Sequence, residues 1–179
     1  MIYAKNIQRF KKITMAESFS FDVVSDFERQ ELVNALDQVK REISQRYDVN
    51  GTATTVDLDK ENIFIITNSE LTLNAVNDII RQKAIKRNLS LKIFEYGLFE
   101  NVSGNKLKQK ILLKQGINQE IAKKISKKIR DQIKKINVSI NGETIRVTSK
   151  SKNDLQLAIK LVSELEESLN IPLKANNLR

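Results

Sequence analysis

Residues 56 to 93 read VDLDKENIFIITNSELTLNAVNDIIRQKAIKRNLSLKI, and residues 138 to 175 read VSINGETIRVTSKSKNDLQLAIKLVSELEESLNIPLKA. The second stretch follows the first at a constant shift of 82 residues, without a gap. Few residues are identical, yet the apolar positions coincide, which indicates an internal duplication. The matched pairs include Val56 with Val138, Glu61 with Glu143, Ile63 with Ile145, Leu73 with Leu155, Asn88 with Asn170 and Leu91 with Leu173.

Each copy has the pattern of a hairpin, a helix and a closing strand, and each is preceded by one more strand and helix. SFSFDVV at 18 to 24 alternates apolar and polar residues, which predicts a half-buried strand. Residues 27 to 46 carry apolar residues at helical spacing. The strand KLKQKILLK at 106 to 114 and a helix from 118 to about 134 repeat this order. We therefore predict an α+β fold with two tandem ferredoxin-like βαββαβ lobes, each a four-stranded antiparallel sheet with two helices on one face.

The expected lobes span residues 17 to 100 and 105 to 179. NVSGN at 101 to 105 is the predicted linker, because it carries a glycine among small polar residues. Residues 1 to 16 are expected to form a tail, which precedes the true start of the protein if Met15 is the initiator.

Composition excludes several classes of site. The chain has no cysteine and no histidine, so disulfides, thiolate nucleophiles, imidazole bases and Cys/His zinc sites are unavailable. Neither phosphate-binding glycine motif, GxxxxGK[ST] or GxGxxG, occurs. Asp57, Asp59 and Glu61 suggest a cation site, but a solvated turn explains them better. We expect a cytoplasmic protein that is not an enzyme, with no cofactor, no metal and no membrane span.

The positive charge is concentrated in one segment. Between Lys106 and Lys135 there are 11 basic residues against two acidic ones, whereas the other 149 residues hold 20 of each sign. A confined basic segment is typical of proteins that bind polyanions, although the charge run taken alone slightly favours a solvated lysine face.

Alternation assigns the basic residues of the predicted sheet to its open face. With Leu107, Ile111 and Leu113 directed toward the helices, the lysines at the alternate positions of this strand lie on the open face, and the same argument places Arg146 of the neighbouring strand beside them. We predict that a basic groove on this face contacts the phosphates of a nucleotide. Its residues are Lys106, Lys108, Lys110, Lys114 and Arg146.

The following helix has a buried stripe of isoleucines from Ile117 to Ile133, so its basic residues face solvent behind the sheet. Their expected role is contact with RNA or with a protein partner. These residues are Lys123, Lys127, Arg130 and Lys134.

Three aromatic residues of the first lobe, Phe64, Phe94 and Tyr96, are expected on the face opposite the helices. Sheet-borne aromatic rings stack bases in RNA-recognition modules. The alternative is that the rings pack between the two lobes.

Several segments resemble the YajQ family of bacterial proteins, and with their spacing they cover nearly the whole chain after Met15. They are SFDVVSD at 20 to 26, REISQRYDVNG at 41 to 51, KQGINQEIAKKISKKIRD at 114 to 131, IRVTSKSKNDLQ at 145 to 156 and IPLKANNLR at 171 to 179. The resemblance implies tandem ferredoxin-like lobes and allows the first strand to pair across lobes. It also implies a regulatory effector that binds cyclic di-GMP, other purine nucleotides such as GTP or ATP, or tRNA.

Three hypotheses follow. The first is a non-enzymatic protein that binds cyclic di-GMP or another purine nucleotide. The second is a protein that binds tRNA or single-stranded RNA through residues 106 to 135. The third is an interaction protein whose basic helix docks an acidic partner such as a transcription regulator.

Overall fold

The computed structural model describes residues 18–179, so the expected tail at 1 to 16 lies outside the described residues. A 3₁₀ turn at Leu91–Ile93 leads into the strand that begins at Phe94. The elements are β1 Phe19–Val24, α1 Arg29–Gln45, β2 Thr55–Leu58, β3 Asn62–Thr67, α2 Glu70–Lys86, β4 Phe94–Val102, β5 Lys106–Leu113, α3 Gln119–Gln132, β6 Asn137–Asn141, β7 Thr144–Ser149, α4 Lys152–Leu169 and β8 Lys174–Asn176.

The strands form two antiparallel four-stranded sheets. The first sheet has the order β2-β3-β5-β4, and α1 and α2 pack on one of its faces. The second sheet has the order β6-β7-β1-β8, and α3 and α4 pack on one of its faces. This arrangement confirms the predicted α+β fold of two ferredoxin-like lobes.

The two sheets exchange their first strands. β1 pairs with β7 and β8, in the second sheet, whereas β5 pairs with β3 and β4, in the first. The expectation that β5 borders the strand carrying Arg146 is therefore wrong. The error comes from residues 101 to 105, which the sequence predicts as a linker. Val102 pairs with Lys106, so residues 103 to 105 form a three-residue hairpin turn that joins β4 to β5.

Each lobe has its own hydrophobic core, and the cores follow the strand exchange. The buried residues of the first core run without interruption from Phe27 to Leu113. The second core combines Phe21 and Val23 of β1 with residues from Ile117 to Leu173. The first lobe is thus a continuous piece of chain inserted between β1 and α3 of the second lobe.

The chain crosses between the lobes twice, and the two crossings lie side by side. Gly116 N–H donates to the carbonyl of Ser25 at 2.7 Å, and Gln115 Nε2 donates to Asp26 Oδ1 at 2.7 Å. Gly116 has a φ of +81°, and a Cβ there would come within 2.7 Å of a carboxylate oxygen of Glu143. Any larger residue at 116 would therefore disturb this crossing.

Equivalent positions of the duplication have equivalent roles. Ile63 of β3 and Ile145 of β7 are both fully buried. Asn88 and Asn170, which follow α2 and α4, both adopt left-handed backbone conformations, with φ of 56° and 50°. Asparagine tolerates this conformation better than other non-glycine residues and commonly ends helices there.

None of the helices within residues 18–179 is long and apolar enough to cross a membrane.

The strand exchange makes a prediction about fragments. Residues 26 to 115 contain all four strands of the first sheet, so this fragment is expected to fold alone and unfold cooperatively in urea. Residues 18 to 104 lack β5, so β3 and β4 lose their shared hydrogen-bonding partner, and this fragment is expected to remain unfolded. Circular dichroism during urea titration measures both. A cooperative transition in the 18 to 104 fragment alone would contradict the exchange.

Candidate functional site

The two sheets present different chemistry on the faces that the helices leave open. On the first sheet Phe64, Ile66 and Leu112 form an apolar patch, with lysines of β5 around it. On the second sheet the same face is almost entirely polar, with Val24 as a partly buried exception. Its polar residues are Ser20, Asp22, Asn137, Ser139, Asn141, Thr144, Arg146, Thr148, Lys174 and Asn176. An aromatic platform is therefore present on the first sheet only, among the described residues.

The structure brings four of the predicted binding residues together: Phe64, Lys106, Lys108 and Lys110. Ile111 and Leu113 are buried against the helices, so the three lysines lie on the open face, as predicted. Phe64 on β3 lies directly opposite Lys110 on β5. The Lys108 ammonium lies 5.1 Å from the centroid of the Phe64 ring, a cation–π contact.

Phe94 and Tyr96 lie on the helix side of the first sheet, so their expected position on the open face is wrong. They pair with Leu113 and Ile111, which both face the helices. The 3₁₀ turn at Leu91–Ile93 causes the error, because it interrupts the alternation that a continuous strand would have. Phe94 belongs to the first-lobe core, and Tyr96 packs against it beneath the Arg81 guanidinium, 4.9 Å from the ring centroid. Burial raises the pKa of Tyr96.

Arg146 lies on the open face of the second sheet, as alternation predicts, but away from the lysines of β5. Its guanidinium donates to both carboxylate oxygens of Asp22, the residue directly opposite on β1, at 2.8 and 3.0 Å. Asn177 Nδ2 donates to the same carboxylate at 3.0 Å. These bonds, first the one from Arg146 and then the one from Asn177, lower the pKa of Asp22 to about 2. Asp22 is the important residue that sequence reasoning missed.

Lys114 lies at the junction of the lobes and not on the sheet face. Its ammonium donates to the carbonyl of Asn170 at 2.8 Å. The cleft around it has a volume of about 940 Å³, and its charged groups are mixed. Three carboxylates offset its two ammonium groups, so the cleft does not extend the basic surface of β5. These groups are Glu61, Glu95, Glu143, Lys60 and Lys114.

The basic face of α3 lies in the second lobe. Ile117, Ile125, Ile129 and Ile133 are buried, and Ile121 packs against them, which confirms the isoleucine stripe. Asn118 begins the helix by accepting the N–H of Ile121 at 2.9 Å. The basic residues are exposed, and Lys134 lies beyond the last helical residue, Gln132. From 123 to 135, the described chain shows one ion pair, between Lys124 and Glu120 at 2.7 Å.

The acidic residues Asp59 and Glu61 lie in the turn between β2 and β3, as predicted. Asp59 Oδ1 accepts the backbone N–H groups of Glu61 and Asn62 at 2.8 and 2.6 Å. Within residues 18–179 no group of three or more acidic side chains is arranged to hold a metal ion. Asp57 is not part of this turn: it lies on β2, exposed on the open face, directly opposite Phe64.

The duplication places the same three-strand row in both sheets. In the first sheet the row is Asp57, Phe64 and Lys110. In the second sheet it is Ser139, Arg146 and Asp22. The shift of 82 residues already matches Phe64 to Arg146, and this was the sequence signal that could have identified the row. In the second sheet Arg146 and Asp22 of the row neutralise each other, whereas in the first sheet Phe64 separates the charged residues Asp57 and Lys110.

Comparison with known proteins gives consistent results. A family profile described as "Nucleotide-binding protein YajQ-like" matches residues 19–179. Proteins named "Nucleotide-binding protein" are 88% identical in Prochlorococcus marinus strain AS9601 and 53% identical in Synechococcus sp. strain CC9605. A third, from Prochlorococcus marinus subsp. pastoris, is 77% identical. Each match covers 165 residues, which is 92% of this chain and the full length of the relative.

The Asp22 ion pair predicts a pH-dependent stability. Because the pKa of Asp22 falls from 3.8 to about 2 on folding, the ionised carboxylate contributes about 2 kcal/mol above pH 3.8, and this contribution is lost as the pH falls toward 2. Asp22→Asn is therefore expected to lower the free energy of unfolding by about 2 kcal/mol at pH 7. The difference from wild type should shrink below pH 4.

Urea unfolding at several pH values between 7 and 3 measures this difference. The control is Asp37→Asn on the exposed side of α1, which is expected to change stability little. A difference between Asp22→Asn and wild type that stays constant with pH would contradict the assigned role of the ion pair.

Proposed function

The chain belongs to the YajQ-like family of nucleotide-binding proteins, and from that premise we propose that it binds a purine nucleotide on the open face of the first sheet. The ligand is cyclic di-GMP, GTP or ATP, and the protein acts as a non-enzymatic regulatory effector. The observation that carries the proposal is the position of Phe64 beside Lys108 and Lys110 on one exposed sheet face.

Phe64 supplies the stacking surface in this proposal. Its ring is half-buried on the open face and lies next to Ile66, so a planar base can cover both side chains. The Lys108 ammonium now lies over the ring. A stacked base takes that place, and the displaced ammonium stays near enough to contact the phosphate of the same nucleotide. Stacking of a base on a protein ring contributes about 1 to 3 kcal/mol.

The lysines of β5 supply the phosphate contacts. Lys106, Lys108 and Lys110 alternate along one strand, so their Cα atoms are about 7 Å apart. A row of ammonium groups at this spacing suits a ligand with more than one phosphate. Arg146 and Lys114 are outside this site, because one is paired with Asp22 on the other sheet and the other lies at the lobe junction.

The names of the family profile and of the relatives describe nucleotide binding, which supports a binding role for this face. The surface proposed here is open and combines a ring with ammonium groups, which is suited to holding a nucleotide.

Removal of the Phe64 ring tests this site. Phe64→Ala is expected to weaken binding of cyclic di-GMP and GTP by about 5- to 150-fold, which corresponds to the stacking energy. Isothermal titration calorimetry measures the affinity. Phe99→Ala is the matched control, because Phe99 is on the same sheet but faces the helix side opposite Gln109, and it should leave the affinity unchanged. Binding of no nucleotide by the wild-type protein would refute the proposal.

RNA binding by α3 is a second candidate, and the exposed basic face of the helix favours it. Lys123, Lys127 and Arg130 are exposed, and none forms an ion pair within the described chain. Such a face can neutralise backbone phosphates without reading a base.

Charge reversal separates the two candidates. Replacement of Lys123, Lys127 and Arg130 by glutamate is expected to lower the dependence of log K for single-stranded RNA on log salt by about 2, since each lost phosphate contact removes about 0.7. Fluorescence anisotropy across a salt series measures this slope. Affinity for GTP should stay the same in the variant. An unchanged RNA slope would exclude α3 as the RNA contact.

A further inference from the structure

One row on the open face of the first sheet combines a carboxylate, a ring and an ammonium group. Asp57 on β2 lies directly opposite Phe64 on β3, and Phe64 lies directly opposite Lys110 on β5. Adjacent strands are about 4.8 Å apart, so the two charged residues lie on the strands that flank the ring on either side. Neither Asp57 nor Lys110 forms an ion pair with another residue of the described chain.

This geometry gives a bound nucleotide a direction. Lys110 attracts the phosphate, so a base that stacks on Phe64 presents its far edge toward β2 and Asp57. An ionised carboxylate can only accept hydrogen bonds, and it offers two oxygens side by side. Guanine carries two adjacent donors on its Watson–Crick edge, N1–H and the N2 amino group. Adenine instead places the lone pair of N1 at the centre of that edge, where a carboxylate repels it.

We propose that Asp57 is a specificity-determining residue that selects guanine over adenine on this surface. The inference rests on the proposed nucleotide site and adds to it the identity of the base. Asp57 is exposed, so both of its oxygens are accessible to a ligand lying on Phe64.

The second sheet shows why the position of the carboxylate matters. There the acidic residue of the row, Asp22, is on the central strand and pairs directly with Arg146. In the first sheet the acidic residue is on the edge strand, and Phe64 separates it from Lys110. A carboxylate in contact with its counterion has little capacity left for a ligand, whereas the separated pair can bind the two ends of one nucleotide.

The test compares ligands that differ in the base alone. Calorimetric affinities of the full chain are measured for GTP, ITP and ATP, and for cyclic di-GMP and cyclic di-AMP. GTP is expected to bind about tenfold or more tightly than ATP, since a good bidentate contact discriminates by that order. ITP, which lacks the N2 amino group, should lie between them. The same order is expected for the two cyclic dinucleotides.

Asp57 variants connect this preference to the residue. Asp57→Ala is expected to reduce affinity for GTP to that for ATP. Asp57→Asn is expected to abolish or invert the preference, because an amide offers both a donor and an acceptor to adenine. Glu95→Gln is the matched control: it removes one negative charge from the same open face, opposite Leu112, and should keep the preference. Unchanged circular dichroism spectra verify the fold of each variant.

The outcomes are distinguishable. Equal binding of GTP and ATP by the wild-type protein overturns the role of Asp57 and leaves the nucleotide site standing. A guanine preference that survives in both Asp57 variants also overturns it, and assigns the preference to another residue. Failure of every nucleotide to bind removes the proposed site and this inference together.

Discussion

Each sheet of this protein depends on the backbone hydrogen bonds of one central strand that is supplied by the other repeat. β1 bonds on both sides, to β7 and β8, and β5 bonds on both sides, to β3 and β4. A central strand completes two ladders at once, so its removal would leave two neighbours with unpaired N–H and C=O groups. The exchange also requires two crossings between the lobes, and the hydrogen bond from Gly116 to Ser25 holds these crossings together.

Duplication kept the geometry of the lobes while their exposed chemistry diverged. The helices, hairpins and left-handed asparagines are equivalent in both copies. The matching three-strand rows nevertheless differ. One contains the ion pair between Asp22 and Arg146, and the other contains Phe64 between Asp57 and Lys110. The open face of a ferredoxin-like sheet does not contribute to the core, so its residues can change without loss of the fold. This freedom allowed the two open faces to become chemically different, although the lobes that carry them share one fold.

The strand exchange also divides the basic segment. Its first part, on β5, belongs to the open face of the first sheet, whereas α3 covers the second sheet on its helical side. The concentration of charge in the sequence is therefore two separate basic surfaces in the folded protein. A nucleotide on the proposed site at β5 would not contact the lysines of α3, although their field can attract anions to the molecule.

Periodicity in the sequence determined the two lobes, the element order and the face on which most side chains lie. The isoleucine stripe of α3, the outward lysines of β5 and the position of Phe64 all follow from it, because the repeats of 3.6 and 2.0 residues are properties of the local backbone. The tertiary structure decided that β5 completes the first sheet and β1 the second, that the 3₁₀ turn directs Phe94 and Tyr96 inward, and that Asp22 meets Arg146. The physical reason is that ladder hydrogen bonds join backbone groups common to every residue, so a strand's side chains specify its buried face but carry little information about its neighbour.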